Sequence, residues 1–250
     1  MAVTHKSPAE IEAMKAAGSL SRKALRLAGQ IIRPGISTLE IDQYVEEIIR
    51  MGGGVPAFKG YMGFPGSICA SINDEVVHGI PSAHRTLQEG DIISIDTGAI
   101  VDGWVGDNAH TYAVGEIDPR TQELLEVTEK SLYAGIEQAV VGNHLRDIGH
   151  AVQAMCEKAG FGVIREYVGH GVGHHMHEEP NVPNYGKRGQ GMRLEEGMVI
   201  AIEPMITQGT YHVHTLDNGW TVVTDDGLPS AHFENTIAIT ADGPVILTKE

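Results

Sequence analysis

The chain has 250 residues, 42% of them hydrophobic and 20% charged, enough to bury a substantial core as one large domain or two tightly joined halves. A net charge of −15 with scattered basic residues argues against a DNA-binding face and mildly favours a cation-binding interior. No apolar run approaches the roughly eighteen residues of a membrane span, and the start MAVTHKSPAEIEAMKAAG holds no hydrophobic signal segment, so a cytoplasmic protein without a membrane partner is expected.

Ser7-Pro8-Ala9-Glu10 reads as a helix start: serine caps, proline takes the first helical position, and glutamate stands three after the cap. Ile11, Met14, Ala17, Gly18, Leu25 and Ala28 keep roughly helical spacing until Arg33-Pro34-Gly35 breaks it. Ser37 with Glu40 opens a second helix carrying Leu39, Ile41, Val45, Ile48 and Ile49, which Gly52-Gly53-Gly54 ends. From there to about residue 114, short Ile- and Val-rich strands alternate with Asn-Asp, Glu-Gly and Asp-Gly turns. Helical patterns return between about 119 and 160, and strands resume after Gly162. Cys69 and Cys156 form no C-x-x-C pair, so two reduced, half-buried thiols are expected rather than a disulfide or a thiolate zinc site.

Two helices followed by strands, twice over, suggest an internal duplication with halves of approximately 1–115 and 116–250 in a single domain. Gly35, Ile41, Val45 and Gly53 recur 107 positions later as Gly142, Ile148, Val152 and Gly160. The same offset lays LQEGDIISID, ending at Asp96, onto LEEGMVIAIE, ending at Glu203. A pseudo-twofold relating the halves would bring these two acids together.

Asp96 and Asp107 flank Val101-Asp102-Gly103. A two-residue turn at Val101-Asp102 sets them directly opposite across a hairpin, and one at Asp102-Gly103 makes them diagonal neighbours; either way they share a face. Alternation puts Ser94 and Gly98 beside Asp96 and Ala201 beside Glu203, with Ile93, Ile95, Ile200 and Ile202 pointing into the core. Read as a strand, residues 230 to 240 place Glu234 with His232, Thr236 and Ala238, opposite Phe233, Ile237 and Ile239. Converging carboxylates repel and raise one another's pKa, so they need shared protons or bound cations; two divalent ions would neutralise four. One imidazole completes such a set. In VGHGVGHHMHEEP the best candidate is His170, whose neighbours Gly169, Gly171 and Gly173 let a ligand approach, while His174 and His175 read as solvated or capping residues. The stretch matches neither G-x-G-x-x-G nor H-E-x-x-H, which argues against a dinucleotide site and a zincin site.

Asp96, Asp107, His170, Glu203 and Glu234, in the contexts SIDTG, VGDNA, GHGVG, IEPM and FENT, closely resemble the five metal ligands of methionine aminopeptidases of the bacterial type I form. The resemblance covers nearly the whole chain, including SINDEVVHGIP around His78 and HEEPNVP after His177. It implies the α/β pita-bread fold, two related halves around a curved, mainly antiparallel sheet with helices outside. It implies two divalent ions, drawn from Co, Mn, Fe or Zn, which activate a water while Glu203 moves its proton. His177 would contact the scissile carbonyl side and His78 the scissile amide nitrogen. The family's side-chain pocket falls on Phe58, Tyr61, Phe64, Cys69, Met176 and Trp220. The implied activity removes N-terminal methionine from peptides and nascent chains when the second residue is small, with a monomer expected and proximity to the ribosome open. Met62 and Asn235 stand where many relatives carry histidine, which changes a substrate contact and a hydrogen bond outside the metal site. Two alternatives share this fold: an Xaa-Pro aminopeptidase or prolidase, normally longer at its N-terminus, and a peptide-binding module without metals.

Overall fold

The structure, a computed structural model, describes residues 2–249. Helix α1 (Pro8–Ile31) starts with a full capping box, in which the Ser7 side chain accepts from the Glu10 amide and the Glu10 carboxylate accepts from the Ser7 amide. Helix α2 (Thr38–Met51) repeats the device with Ser37 and Glu40 and stops at Gly52. The apolar positions expected of α1 are buried, and its Leu20, Ala24, Leu25 and Ala28 pack with Ile41, Val45 and Ile49 of α2 against the inward residues Ile93 and Ile95.

The strands of this half are β1 (Val55–Pro56), β2 (Ile68–Ile72), β3 (Glu75–Val77), β4 (Ile92–Val101) and β5 (Trp104–Ala113). Strand β4 pairs antiparallel with β5 along one edge and with β1 and β2 along the other. Val101 faces Trp104, so the turn is Asp102-Gly103, with Asp102 and Gly103 both at positive φ as such a turn requires. Asp96 therefore pairs with Ala109 and Asp107 with Gly98, the diagonal arrangement of the two that the sequence allowed.

The second half contains α3 (Pro119–Ile136), α4 (Leu145–Lys158), β6 (Gly162–Val163), β7 (Gly169–Gly171), β8 (Glu178–Val182), β9 (Val199–Ile202), β10 (Met205–Thr207), β11 (Val213–Thr215), β12 (Val222–Thr224), β13 (Ser230–His232), β14 (Asn235–Thr240) and β15 (Gly243–Ile246). The 107-residue offset carries α2 onto α4 and β1 onto β6 at both ends of each element, and carries the isolated bridge Ser37–Thr86 onto His144–Arg193. Five strands pair in the order β15-β14-β9-β7-β8, while β10 lies between β13 and β6, and β12 between β11 and β3. Ile200, Ile202, Phe233, Ile237 and Ile239 form a second core with α3 and α4, as their alternation required. A third cluster, from Ile11, Met14, Phe58, Val105, Val172, Val199, Ala201 and Ala238, draws on both halves. No described helix is long and apolar enough to cross a membrane.

Three details differ from the sequence reading. The strand expected over residues 230 to 240 breaks after His232, because the Phe233 amide turns to Pro204 and the Glu234 amide to the carbonyl of Ala109 in the other half. Both thiols are free and buried rather than half-buried. Gly169, Gly171 and Gly173 serve packing rather than ligand access: a Cβ would lie 2.3 Å from the Ala201 carbonyl oxygen, 2.2 Å from that of Glu179 and 2.3 Å from the Glu178 carboxylate, respectively.

Glycine also sets how closely α1 approaches the hairpin. A Cβ on Gly106 would sit 2.4 Å from the Gly18 nitrogen, and one on Gly18 would sit 2.3 Å from the carbonyl oxygen of Leu247. These are backbone atoms in a packed layer and cannot swing aside. Gly106→Ala is expected to cost about 1–3 kcal/mol through overpacking, read as a fall in the thermal unfolding midpoint of roughly 2–4 °C per kcal/mol for a chain of this size. An unchanged midpoint would show that the helix yields freely here.

Candidate metal centre and active site

The two halves meet at β5 and the β13–β14 segment, joined by two threonines placed alike. Thr236 Oγ1 accepts from the Asp107 amide and donates to the Asp107 carbonyl at 2.8 Å. Thr111 Oγ1 accepts from the His232 amide and donates to the His232 carbonyl, also at 2.8 Å. With Glu234 N–H on Ala109 O, these bonds fix Asp107, His232 and Glu234 on one wall.

Asp96 and Glu203 come from the equivalent strands β4 and β9, Glu203 lying one residue past the end of β9. Asp107, His170 and Glu234 are buried, and their ligand atoms lie within 4.8 Å of one another. His170 Nε2 is 3.8 Å from Asp107 Oδ2 and 3.5 Å from Glu203 Oε1. Its Nδ1 lies 2.9 Å from the Gly171 carbonyl, to which it donates, leaving the Nε2 lone pair free to face the acids. All five predicted ligands line one cavity, Asp107, His170 and Glu234 being the mutually close set.

Asp96 Oδ1, Asp107 Oδ1 and Glu234 Oε1 are buried and lack a hydrogen-bond partner among the described residues. Burial pushes the Asp107 carboxyl up to about 7. Asp96, Glu203 and Glu234 are driven well above the usual carboxylate range by burial first and by the charge of Asp107 second. Burial lowers His170 to about 4, keeping it a neutral donor. Unpartnered carboxylate oxygens around a neutral imidazole fit hard-to-borderline divalent cations.

The cluster forms one wall of a cavity of about 170 Å3 whose other walls include Phe58, Tyr61, Phe64, Cys69, Met176 and Trp220, all six residues expected there. A dry cavity of roughly 150 Å3 accepts a benzene-sized guest, so the space suits one medium apolar side chain. Phe64 meets Trp220 edge to face with centroids 5.1 Å apart. Cys69 pairs with Asp96 across β2 and β4, and burial followed by the charges of Asp96 and Asp107 holds its thiol protonated.

His78 lines the cavity at φ +61, a strained conformation for a non-glycine residue, with burial lowering it to about 4. His177 lies at the exposed mouth, where its Nδ1 is 2.9 Å from the Tyr61 hydroxyl and its ring centroid 4.2 Å from that of His170. Met62 also lines the mouth and is 82% exposed. His174 stays outside, stacked on Trp104, and His175 is exposed. Asn235 turns away from the cluster, its Oδ1 accepting from Thr248 Oγ1. Sequence reasoning missed His232, which lines the cavity with Nε2 3.6 Å from Glu203 Oε2. Its place two residues before Glu234, on the same face, was the available signal.

Comparison with known proteins places these observations. The model of metallopeptidase family M24 matches residues 12–241. The chain belongs to metallopeptidase family M24. The M24 chain is 53% identical over 243 residues to a methionine aminopeptidase of Clostridium acetobutylicum, with 97% of each covered. It superposes on the crystal structure of a methionine aminopeptidase from Thermotoga maritima with a TM-score of 0.98 at 47% identity, covering all of both chains. A prolidase from Pyrococcus furiosus matches with a TM-score of 0.77 at 26% identity, and there this M24 chain covers only 65% of the longer protein. The pita-bread fold is thereby shown, and with it a metallopeptidase that works with divalent metal.

Metal-free protein is expected to lose stability as pH rises from 6.5 to 8. In that window unfolded carboxyls are ionised while the raised buried ones still hold protons, so folding takes up protons and weakens by roughly 1.4 kcal/mol per pH unit for each proton held. Histidines whose pKa burial lowers, namely His78, His110, His170, His177 and His232, act in the opposite sense, mainly below about 6.5. Urea midpoints with chelator and with excess Mn should diverge across this window; parallel curves would mean that the acids are not coupled to cation binding.

Proposed function

We propose that this M24 chain removes N-terminal methionine from peptides and newly made proteins when the second residue is small, working in the cytoplasm as one catalytic unit of two halves, about 1–115 and 116–250. The observation that carries the reading is that the apolar cavity and the carboxylate cluster share one space; on this reading a side chain seated among Phe58, Phe64 and Trp220 would lay the first peptide bond against Asp96, Asp107 and Glu203. Recognition and chemistry are thus adjacent.

On this reading Asp96, Asp107, His170, Glu203 and Glu234 would hold two divalent ions, from Co, Mn, Fe or Zn. Bound cations supply an activated water and stabilise negative charge developing on the scissile carbonyl oxygen. Glu203, a carboxyl whose pKa burial raises, takes a proton from the attacking water and returns it to the leaving amine. His78 contacts the scissile amide nitrogen from its strained position, and His177, oriented by Tyr61, donates to the carbonyl side.

The test is release of methionine from Met-Ala-Ser, compared with Xaa-Pro peptides, with Mn or Co and with chelator. Methionine release that chelator abolishes is expected. Preferential cleavage of Xaa-Pro peptides would transfer the reading to prolidase chemistry. Norleucine, lacking sulfur, is expected to be cut no more than about 10-fold more slowly, since sulfur–aromatic contact contributes roughly 0.3–1.5 kcal/mol. Leucine, branched at Cγ, fits a packed cavity far less well; comparable turnover of leucyl or lysyl peptides would rule out a methionine pocket.

Two substitutions separate the roles. Glu234→Gln is expected to lose bound metal, measured by elemental analysis, together with several orders of magnitude in rate. His78→Ala is expected to keep its metal and lose rate alone, so metal loss there would reassign His78.

A further inference from the structure

His232 is fully enclosed, 1% exposed, and its Nε2 has no hydrogen-bond partner among the described residues. A buried imidazole nitrogen without a partner costs free energy, so a residue held this way in a cavity wall calls for a use.

Its position is the counterpart of Asp107. The offset that carries Asp96 onto Glu203 carries Gly98 onto Met205. Asp107 pairs with Gly98, and His232 pairs with Met205. The threonine clasps repeat the relation, since Thr236 holds the backbone of Asp107 as Thr111 holds that of His232. Asp107 thus lies diagonal to Asp96, and His232 diagonal to Glu203. His232 lies outside the mutually close set of Asp107, His170 and Glu234. The two imidazoles instead flank one carboxylate, with His170 Nε2 3.5 Å from Glu203 Oε1 and His232 Nε2 3.6 Å from Oε2.

We propose that His232 is a positioning residue for Glu203: its Nε2–H holds Oε2 and so fixes the carboxylate that carries the proton in hydrolysis. The inference rests on the function proposed above. A shift of about 0.6 Å brings the pair to ordinary hydrogen-bond length, and a carboxylate facing Nε2 favours the tautomer with its proton there. Asn184 restrains the same residue from behind, donating to the Glu203 carbonyl at 2.9 Å.

The test compares His232→Ala and His232→Gln with the parent in turnover of Met-Ala-Ser and in calorimetric titration of the chelator-stripped proteins with Co(II). Thr111 bonds the amide and carbonyl of residue 232, which both variants retain. His232→Ala is expected to lower kcat roughly 10–100-fold, the usual range for removing a partner that orients a ligand, with KM little changed and the number of bound cations unchanged. His232→Gln, which keeps an N–H donor, is expected to restore most of kcat. Fewer cations bound by both variants would make His232 a ligand and overturn the proposal. An active parent with unaffected His232→Ala, or with His232→Gln as impaired as His232→Ala, would overturn it alone. A parent that releases no methionine would overturn the proposed function and this inference with it.

Discussion

The pair of threonine clasps between β5 and the β13–β14 segment is the constraint on which the site depends. Each hydroxyl satisfies both backbone groups of one residue on the opposite half, Thr236 for Asp107 and Thr111 for His232. Buried hydrogen bonds between a hydroxyl and the backbone contribute only about 1 kcal/mol each. Their value here is positional, because they set the separation of two walls whose side chains must sit within ligand distance. Ser94 extends the same seam, its hydroxyl 2.8 Å from that of Thr111.

The seam also explains why the acids remain where they are. Left alone, the cluster would spread or take up water, and the protein answers with rigidity: Glu234 N–H is tied to Ala109, Glu203 to Asn184, and His170 to the carbonyl of Gly171. The unmet demand of the orphaned oxygens is thereby preserved for cations. The apolar side of the cavity needs less restraint, since Phe58, Phe64 and Met176 are held by the shared third core.

Most of this was legible in the sequence because the deciding signals are local. Ser37 and Glu40 are three apart and announce a helix; Asp102-Gly103 supplies the turn that aligns Asp96 with Asp107; the 107-residue offset survives in LQEGDIISID and LEEGMVIAIE. What escaped is long-range. Asp42, an acid on the buried face of α2, accepts from the amides of Ser67 and Ile68 and so anchors the entry to β2, yet nothing beside it in sequence reveals those partners. The glycines around His170 suggested access, whereas the space a Cβ would fill belongs to strands distant in sequence. His232 was visible only as a residue on the same face as Glu234, and its meaning depends on Glu203, 29 positions away.

The division of the acids between the halves bears on the order of assembly. Asp96 and Asp107 belong to one hairpin, which forms from contacts close in sequence; Glu203 and Glu234 belong to the other half. Each half can therefore reach its own core while confronting only one pair of carboxylates. Crowding of all four arises only where the halves join, along the threonine seam. The electrostatic cost is thus a cost of joining the halves rather than of either half alone, and a divalent cation that binds the joined site offsets it.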